Sequence, residues 1–328
     1  MGRLVTVLFL LAVLLGAAWT WESWHFSAPG PWAHKGRETI IDIPPRKGLW
    51  AVASQLRNAG VIDSAPLFTL GVRLRGESAL LRAGEYAIPS RASMEDIADI
   101  LIVGHSIEHK VTAAEGLTSD MIAEIVNADP ELTGSREPPP EEGTLLPETY
   151  FFNRGATRGS IIERMQQAQS SFVSRAWNAR APGLPFQTPQ QAVTLASIVE
   201  KETALPEERR HIAAVFINRL RLGMKLESDP TVIYGISKGY PLGHGILASE
   251  LSQPTPYNTY AIAGLPPTPI CNPGKDAILA VLDPEKSNDL YFVADGTGGH
   301  AFAASKSEHD RNVARWRKLQ SLTLRLKP

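Results

Sequence analysis

The C-terminal half of the chain contains the stretch Thr188-Pro189-Gln190-Gln191-Ala192-Val193-Thr194-Leu195-Ala196-Ser197-Ile198-Val199-Glu200-Lys201-Glu202-Thr203. Threonine followed by proline is typical of a helix N-terminus, because the hydroxyl caps free N–H groups and proline fits the first turn. Apolar residues then recur at helical spacing, which predicts an amphipathic helix. The two glutamates point about 200° apart around such a helix, so at most one of them faces a given cleft.

Glu202 lies on the apolar face of this predicted helix, four residues after Ile198 and three after Val199. Glu200 falls on another face, which we expect to be closer to solvent. A carboxyl group beside apolar side chains loses hydration of its charged form, which raises its pKa and lets it donate a proton near neutral pH. Glu202 is therefore the candidate general acid. The alternative is an exposed Glu-Lys-Glu that solvates the end of a helix.

Composition excludes several classes of function. The formal net charge is -1, so charge does not support a nucleic-acid partner. The single cysteine, Cys271, excludes an intramolecular disulfide and a cysteine metal cluster. The run His105-Ser106-Ile107-Glu108-His109 matches the H-x-x-E-H pattern of some zinc peptidases, but it leads into a strand-like segment. Histidines four residues apart on a strand are separated by about 13 Å, so we predict no metal site there.

The N-terminal segment predicts a membrane anchor. No charged residue occurs from Leu4 to Trp21, and a helix of that length spans about 27 Å, close to the thickness of a hydrocarbon core. Aromatic residues at its end favour an uncleaved anchor with an interfacial belt, and they are Trp19, Trp21 and Trp24. Small residues at Gly16-Ala17-Ala18 leave a cleaved signal peptide as the alternative. In either case residues 1–3 would be cytoplasmic and the bulk of the chain exported.

The rest of the chain predicts an α+β fold class in two parts. Residues 22–36 contain several prolines and glycines and are interpreted as a linker. Residues 37–107 predict a small α+β unit of two strands and about three helices, with Ser93 as the N-cap of the last helix. Residues 108–328 predict a larger α+β domain with a strand at Val111–Gly116, a helix that begins at Thr118 and several further helices. Beyond Gly223 one clear strand is predicted, Leu290–Ala294.

Several loops of the larger domain combine polar donors with aromatic rings. Such a mixture suits sugars, which need hydrogen bonds and stacking surfaces, but it also suits ordinary capped turns. The candidate sugar-binding residues are Glu148, Ser228, Asp229, Tyr257, Asn258 and Tyr260. His300, in a glycine-rich segment, could bind a ligand, although we expect an ordinary turn histidine.

Six runs in chain order carry a resemblance to a known family: Ala196–Thr203, Val215–Leu220, Met224–Gly235, Tyr257–Tyr260, Gly264–Pro267 and Leu290–Gly296. Together they closely resemble the endolytic murein transglycosylase family, also called YceG-like. The resemblance extends from about Glu115 to His309 and includes Gly143–Phe152. The anchor and the small α+β unit, which looks like a LysM-like domain, also stand where this family has them.

The resemblance implies a chemistry, a substrate and a location. Residues 108–328 would be the catalytic domain, with Glu202 as the family's catalytic glutamate. The substrate would be the MurNAc-β-1,4-GlcNAc bond of peptidoglycan glycan strands, and cleavage would leave a 1,6-anhydro-MurNAc end without any cofactor. The enzyme would be a single-pass protein of the cell inner membrane with a periplasmic catalytic domain. It would end glycan elongation beside penicillin-binding synthases.

Two other hypotheses remain open at this point. The chain could be a non-catalytic scaffold that binds the wall and recruits synthases. It could also be a muramidase that hydrolyses the bond with Asp229 or Glu227 as a second carboxylate, since hydrolases normally use two.

Overall fold

The computed structural model describes residues 2–33, 36–104 and 106–326. The chain forms two compact units, Met1–Lys110 with Phe151–Ala156, and Val111–Tyr150 with Thr157–Pro328. Both combine helices with two-stranded sheets, which confirms a mixed α+β class. Two residues of the predicted linker, His34 and Lys35, and the first histidine of the zinc-like motif, His105, lie outside the described residues.

Over the residues that the structure describes, the first unit contains four helices and a two-stranded antiparallel sheet. Its elements are α1 (Gly2–Ser27), β1 (Glu38–Ile43), α2 (Leu49–Asn58), α3 (Ala65–Leu74), β2 (Gly84–Pro89) and α4 (Met94–Val103). Two further strands, β3 (His109–Thr112) and β4 (Thr149–Phe152), pair with each other. Among the described residues, α1 alone is long and apolar enough to cross a membrane, from Val5 to Ser27, by length and composition.

The small sheet and its helices share one core. Strands β1 and β2 pair Ile41 with Tyr86, and both side chains are buried with those of α2, α3 and α4. Ser93 begins α4 as predicted, because its hydroxyl accepts from the N–H of Asp96 at 3.0 Å and the Asp96 carboxylate accepts from the N–H of Ser93 at 2.9 Å. Two strands and three helices after residue 36 confirm the predicted elements of this region.

The second histidine of the zinc-like motif has a different role. His109 lies in β3, and its Nε2 is 2.7 Å from a carboxylate oxygen of Glu85. Arg154 donates to the other oxygen at 2.6 Å. Burial alone would raise the pKa of Glu85, but these two partners outweigh it and lower that pKa. His109 and Arg154 thus both pair with the buried carboxylate of Glu85.

The second unit is mainly helical, and α7 is at its centre. Its elements are α5 (Ser119–Ala128), α6 (Arg158–Asn178), α7 (Pro189–Glu202), α8 (Arg209–Arg221), α9 (Asp229–Ser237), α10 (Ala248–Leu251), α11 (Lys275–Leu282), β5 (Tyr291–Ala294), β6 (His300–Ala303) and α12 (Lys306–Leu326). Helix α7 contacts α6, α8, α9 and α11. The prediction of a single strand after residue 223 is wrong, since β6 pairs with β5.

Helix α7 begins as predicted but is not amphipathic. The hydroxyl of Thr188 accepts from the N–H of Gln191 at 3.3 Å, with proline in the first turn. Every residue from Ala192 to Val199 is buried, because neighbouring helices surround α7. Ser197 is accommodated there by donating to the carbonyl of Thr194 at 2.7 Å and accepting from the N–H of Ile270 at 3.0 Å.

Candidate active site

Glu202 is the last residue of α7, where the chain turns to extended backbone at Thr203. Its Oε1 accepts a hydrogen bond from the hydroxyl of Ser228, which precedes α9. In the part of the chain that the structure describes, its Oε2 has no hydrogen-bond partner. One carboxylate oxygen is therefore fixed and the other remains available to a substrate.

Burial raises the pKa of Glu202 to about 7. The hydrogen bond from Ser228 opposes this effect because it stabilises the charged carboxylate. The negative charge of Asp229 raises the pKa further, whereas the charges of His300 and Arg219 lower it. A carboxyl group with a pKa near 7 is half protonated at neutral pH, which suits both donating and accepting a proton.

Two threonines hold Ser228 in place. The N–H of Ser228 donates to the Thr259 hydroxyl at 2.9 Å, and the Thr231 hydroxyl donates to the Ser228 carbonyl at 2.6 Å. The two hydroxyls lie 2.8 Å apart, and all three residues are buried. This network directs the serine side chain toward Glu202. Sequence reasoning missed both threonines, although each lies in a run that resembles the family.

Arg219 of α8 supports the turn before Ser228. Its Nη1 donates to the carbonyls of Lys225 and Leu226 at 3.1 and 3.0 Å and to the carboxylate of Glu227 at 3.1 Å. Its guanidinium carbon also lies 5.1 Å from the ring centre of Tyr291 in β5. Glu227 has a φ of 54°, a left-handed conformation that favours glycine. The buried arginine therefore stabilises a turn that is costly for a glutamate. Its role was not predicted from the sequence.

Two of the predicted sugar-binding residues are joined beside Glu202. The hydroxyl of Tyr260 donates to Oδ1 of Asp229 at 2.7 Å. Burial and this bond to a carboxylate raise the pKa of Tyr260, and the nearby Glu202 contributes to the rise. The structure thus brings together four of the predicted site residues, Glu202, Ser228, Asp229 and Tyr260.

His300 is also near the site, and the expectation of a turn histidine is wrong. It is the first residue of β6, where its N–H donates to Oε1 of Glu208 at 2.8 Å. Its Nδ1 lies 2.6 Å from Oε2 of the same glutamate. The charge of His300 lowers the pKa of Glu202, so the histidine lies near that carboxyl group. The glycines directly before His300 indicate a turn, which is why this strand was not predicted.

Three predicted residues have other contacts. Glu148 forms an ion pair with Lys275 of α11. The Tyr257 hydroxyl lies 2.8 Å from that of Thr268. Asn258 is fully buried and donates to two backbone carbonyls at 2.8 Å, so it holds its own loop together. None of these contacts brings the three residues to Glu202, and their roles in binding sugar stay predictions.

Glu200 is enclosed on the other side of α7. Its side chain is 7% exposed, and its Oε2 accepts from the N–H of Gly274 at 2.8 Å. Nη2 of Arg209 lies 4.0 Å from Oε1 of Glu200. Burial is the main cause of a raised pKa at Glu200 as well. Neither glutamate is a freely solvated surface group, which excludes the exposed Glu-Lys-Glu interpretation. Glu200 is nevertheless occupied by a backbone partner that fixes the loop before α11.

Metal ligands do not cluster in the described ranges. Within residues 2–33, 36–104 and 106–326, no group of three or more His, Cys, Asp or Glu is placed to hold a metal ion. Cys271 is fully buried, and burial raises the pKa of its thiol.

Comparison with known proteins places the chain in a family. The sequence model of the YceG-like family matches residues 41–315. A Streptococcus pneumoniae protein named endolytic murein transglycosylase is 30% identical over 86% of this chain, which spans only 59% of that relative's length. A Bacillus subtilis protein of the same name is 29% identical over 83% of this chain and 82% of its own. The crystal structure of a yceG-like protein from Listeria monocytogenes aligns with a TM-score of 0.51 and 28% identity, over 84% of this chain and 99% of that one. The chain belongs to the YceG-like family.

Proposed function

We propose that this protein is an endolytic lytic transglycosylase that cleaves MurNAc-β-1,4-GlcNAc bonds within peptidoglycan glycan strands and leaves 1,6-anhydro-MurNAc ends. The name that the Streptococcus and Bacillus relatives share supports the activity and the substrate. The observation that carries the proposal is the partly buried carboxyl group of Glu202, which has a pKa of about 7 and, among the described residues, a hydrogen bond to only one of its two oxygens.

Glu202 supplies the acid of the first step. The protonated carboxyl group donates its proton to the glycosidic oxygen as the bond to C1 of MurNAc breaks and positive charge builds on the sugar. Ser228 holds Oε1 during this step, so the proton is transferred from Oε2. The buried setting keeps enough of the acid form present at neutral pH.

The same carboxylate then acts as the base. It takes the proton of the C6 hydroxyl of MurNAc, whose oxygen bonds to C1 and closes the 1,6-anhydro ring. Glu202 regains its proton, so the cycle balances without water. The attacking group is part of the substrate, and its position replaces the second carboxylate that a hydrolase needs.

The contacts of the neighbouring carboxylates favour this route over hydrolysis. Asp229 accepts from Tyr260, and Glu227 is paired with Arg219. Both carboxylates are therefore already bonded to neighbouring side chains. In a muramidase one of them would have to activate a water molecule. The alternative of a non-catalytic scaffold gains no support from a carboxyl group whose pKa is raised to about 7.

The remaining parts of the proposal concern location and partners. We propose that α1 anchors the chain in the cell inner membrane, residues 1–3 being cytoplasmic and 4–21 spanning. The linker predicted over residues 22–36 is helical up to Ser27. Residues 37–107 would be a LysM-like unit that binds glycan, and residues 108–328 the periplasmic catalytic domain. Penicillin-binding synthases are the proposed partners, because a lyase beside them would end glycan elongation.

The test is a digest of purified sacculi by the full chain in detergent, with products identified by mass spectrometry. Wild type should release fragments with 1,6-anhydro ends. Glu202→Gln should abolish them, because an amide cannot donate the proton. The matched control is Glu200→Gln, two residues away, which keeps an oxygen that can accept from Gly274 and should retain most activity.

Other products would decide between the alternatives. Reducing ends in place of anhydro ends would establish a hydrolase. Full activity of Glu202→Gln would refute the assignment of the acid. Absence of cleavage by wild type, on both sacculi and nascent glycan, would favour the scaffold.

A further inference from the structure

The end of α1 belongs to the core of the first unit. Phe26 is 5% exposed, and its ring packs 6.3 Å from that of Phe68 in α3. Gly71 of α3 lies against the same ring, where even a methyl group would come within 2.4 Å of it. Glu22, one turn earlier, is also buried. The apolar helix therefore continues without interruption into a folded unit.

The segment after α1 is hydrogen-bonded to the same unit. The N–H of Gly30 donates to the carbonyl of Arg91 at 3.2 Å, and the N–H of Arg91 donates to the carbonyl of Pro31 at 3.0 Å. The N–H of Ala33 donates to the hydroxyl of Ser90 at 3.0 Å. The predicted linker is thus fixed on the unit over residues 30–33. The helix and the unit have to move together.

This attachment determines how far the unit stands from a membrane that α1 crosses. A hydrocarbon core of about 30 Å takes up about 20 helical residues. If the span begins at Val5, it ends near Trp24. Trp21 and His25 then lie at the boundary between acyl chains and headgroups, where tryptophan is favoured. The part of the unit that contacts them must lie at the same depth.

The contacting part is apolar and open. A cavity of about 440 Å³ is lined by Trp21, His25, Pro66, Leu67, Leu70 and Met94. Leu70 on α3 is 46% exposed and Trp32 is 71% exposed. The guanidinium of Arg91 lies 5.0 Å from the Trp32 ring centre. Arginine and tryptophan together suit the headgroup region, and exposed leucine suits the acyl chains below it.

We infer that the first unit docks on the outer leaflet of the membrane through the surface around this cavity, with Leu70 in contact with phospholipid. The inference rests on the proposed anchor. The unit is then held at the bilayer and does not extend from it on a flexible tether. Glycan bound by this unit would be close to the membrane, where new strands are made.

The test places a fluorescent label at Leu70 in the full chain. Cys271 is fully buried, so Leu70→Cys provides the accessible thiol for a bimane reagent. The protein is reconstituted in nanodiscs of phosphatidylcholine, either unmodified or brominated on the acyl chains. Bromine quenches only labels in contact with lipid. Leu10→Cys, inside α1, reports insertion of the anchor, and Trp32→Cys repeats the test at a second exposed site.

We expect brominated lipid to reduce the emission at Leu70 by a fraction comparable to that at Leu10, with little quenching by aqueous iodide. Quenching by bromine at Leu10 but at neither Leu70 nor Trp32 would overturn the docking and leave the anchor intact. Protection of Leu70 from both quenchers would mean that protein covers this surface, which also overturns the inference. Absence of bromine quenching at all three sites would refute the anchor itself. The digest of sacculi is a separate readout of the lyase activity.

Discussion

We expect Glu202→Gln to stabilise the second unit at neutral and alkaline pH. The amide keeps the size of the side chain and still accepts from Ser228, but it cannot ionise. The ordinary pKa of the glutamate is 4.5, and burial in the folded unit raises it to about 7. Between these pH values only the unfolded chain has lost the proton. The stability of wild type therefore falls across this window by about 3 kcal/mol and is level above it, since each pH unit corresponds to about 1.4 kcal/mol.

The assay is urea unfolding of the full chain in detergent at a series of pH values from 5 to 9, with limited proteolysis reporting on fragments of the second unit. The difference between Glu202→Gln and wild type should be smallest at pH 5, should grow up to about pH 7 and should then stay constant. The control is Glu163→Gln on the exposed side of α6, for which we expect no such trend. A difference for Glu202→Gln that does not change with pH would show that folding does not raise this pKa, and the acid role would lose its physical basis.

Three further predictions concern the same site and its helix. Release of anhydro ends by wild type should fall about tenfold per pH unit well above pH 7, because the protonated form of Glu202 is depleted, as a pH series of initial rates would show. Ser228→Ala should move this fall in rate to higher pH, because the carboxylate of Glu202 loses a hydrogen-bond donor. Asp229→Asn should move it to lower pH, because a nearby negative charge is removed while Tyr260 keeps a hydrogen-bond acceptor. If the pH at which the rate falls moves in the same direction for both variants, Ser228 and Asp229 do not have opposite effects on the pKa of Glu202. Thr188→Ala should lower the free energy of unfolding by about 1 kcal/mol through loss of the α7 cap, measurable in urea.

Local features of the fold could be predicted because they depend on adjacent residues. The caps at Ser93, Thr118 and Thr188 are examples, since a capping hydroxyl reaches an N–H only three residues away. Helix α11 was missed because its apolar run of six residues does not distinguish a buried helix from a strand. Strand β6 was missed because it depends on pairing with β5, which no property of four residues reveals.

Some features of the candidate site could likewise be predicted from the sequence, and others could not. The choice of Glu202 over Glu200 followed from the helical face, and that argument needed only the positions of Ile198 and Val199. The assumption behind it, a polar face open to solvent, does not hold, since α7 is enclosed and Glu200 is buried against Gly274. Helical geometry could separate the two glutamates. It could not show which of them would receive a backbone partner from a distant loop.

The raised pKa of Glu202 depends on side chains that no single motif contains. Burial at the end of α7 favours the neutral acid, and the C-terminal end of a helix also disfavours a negative charge. Ser228, His300 and Arg219 oppose this by stabilising the carboxylate, and they come from the turn before α9, from β6 and from α8. A catalyst that must first give a proton and then take one needs both forms within reach at the working pH. The groups from these three separate elements bring the pKa of Glu202 near the working pH. This is a reason why the resemblance to the family extends over many short runs of sequence.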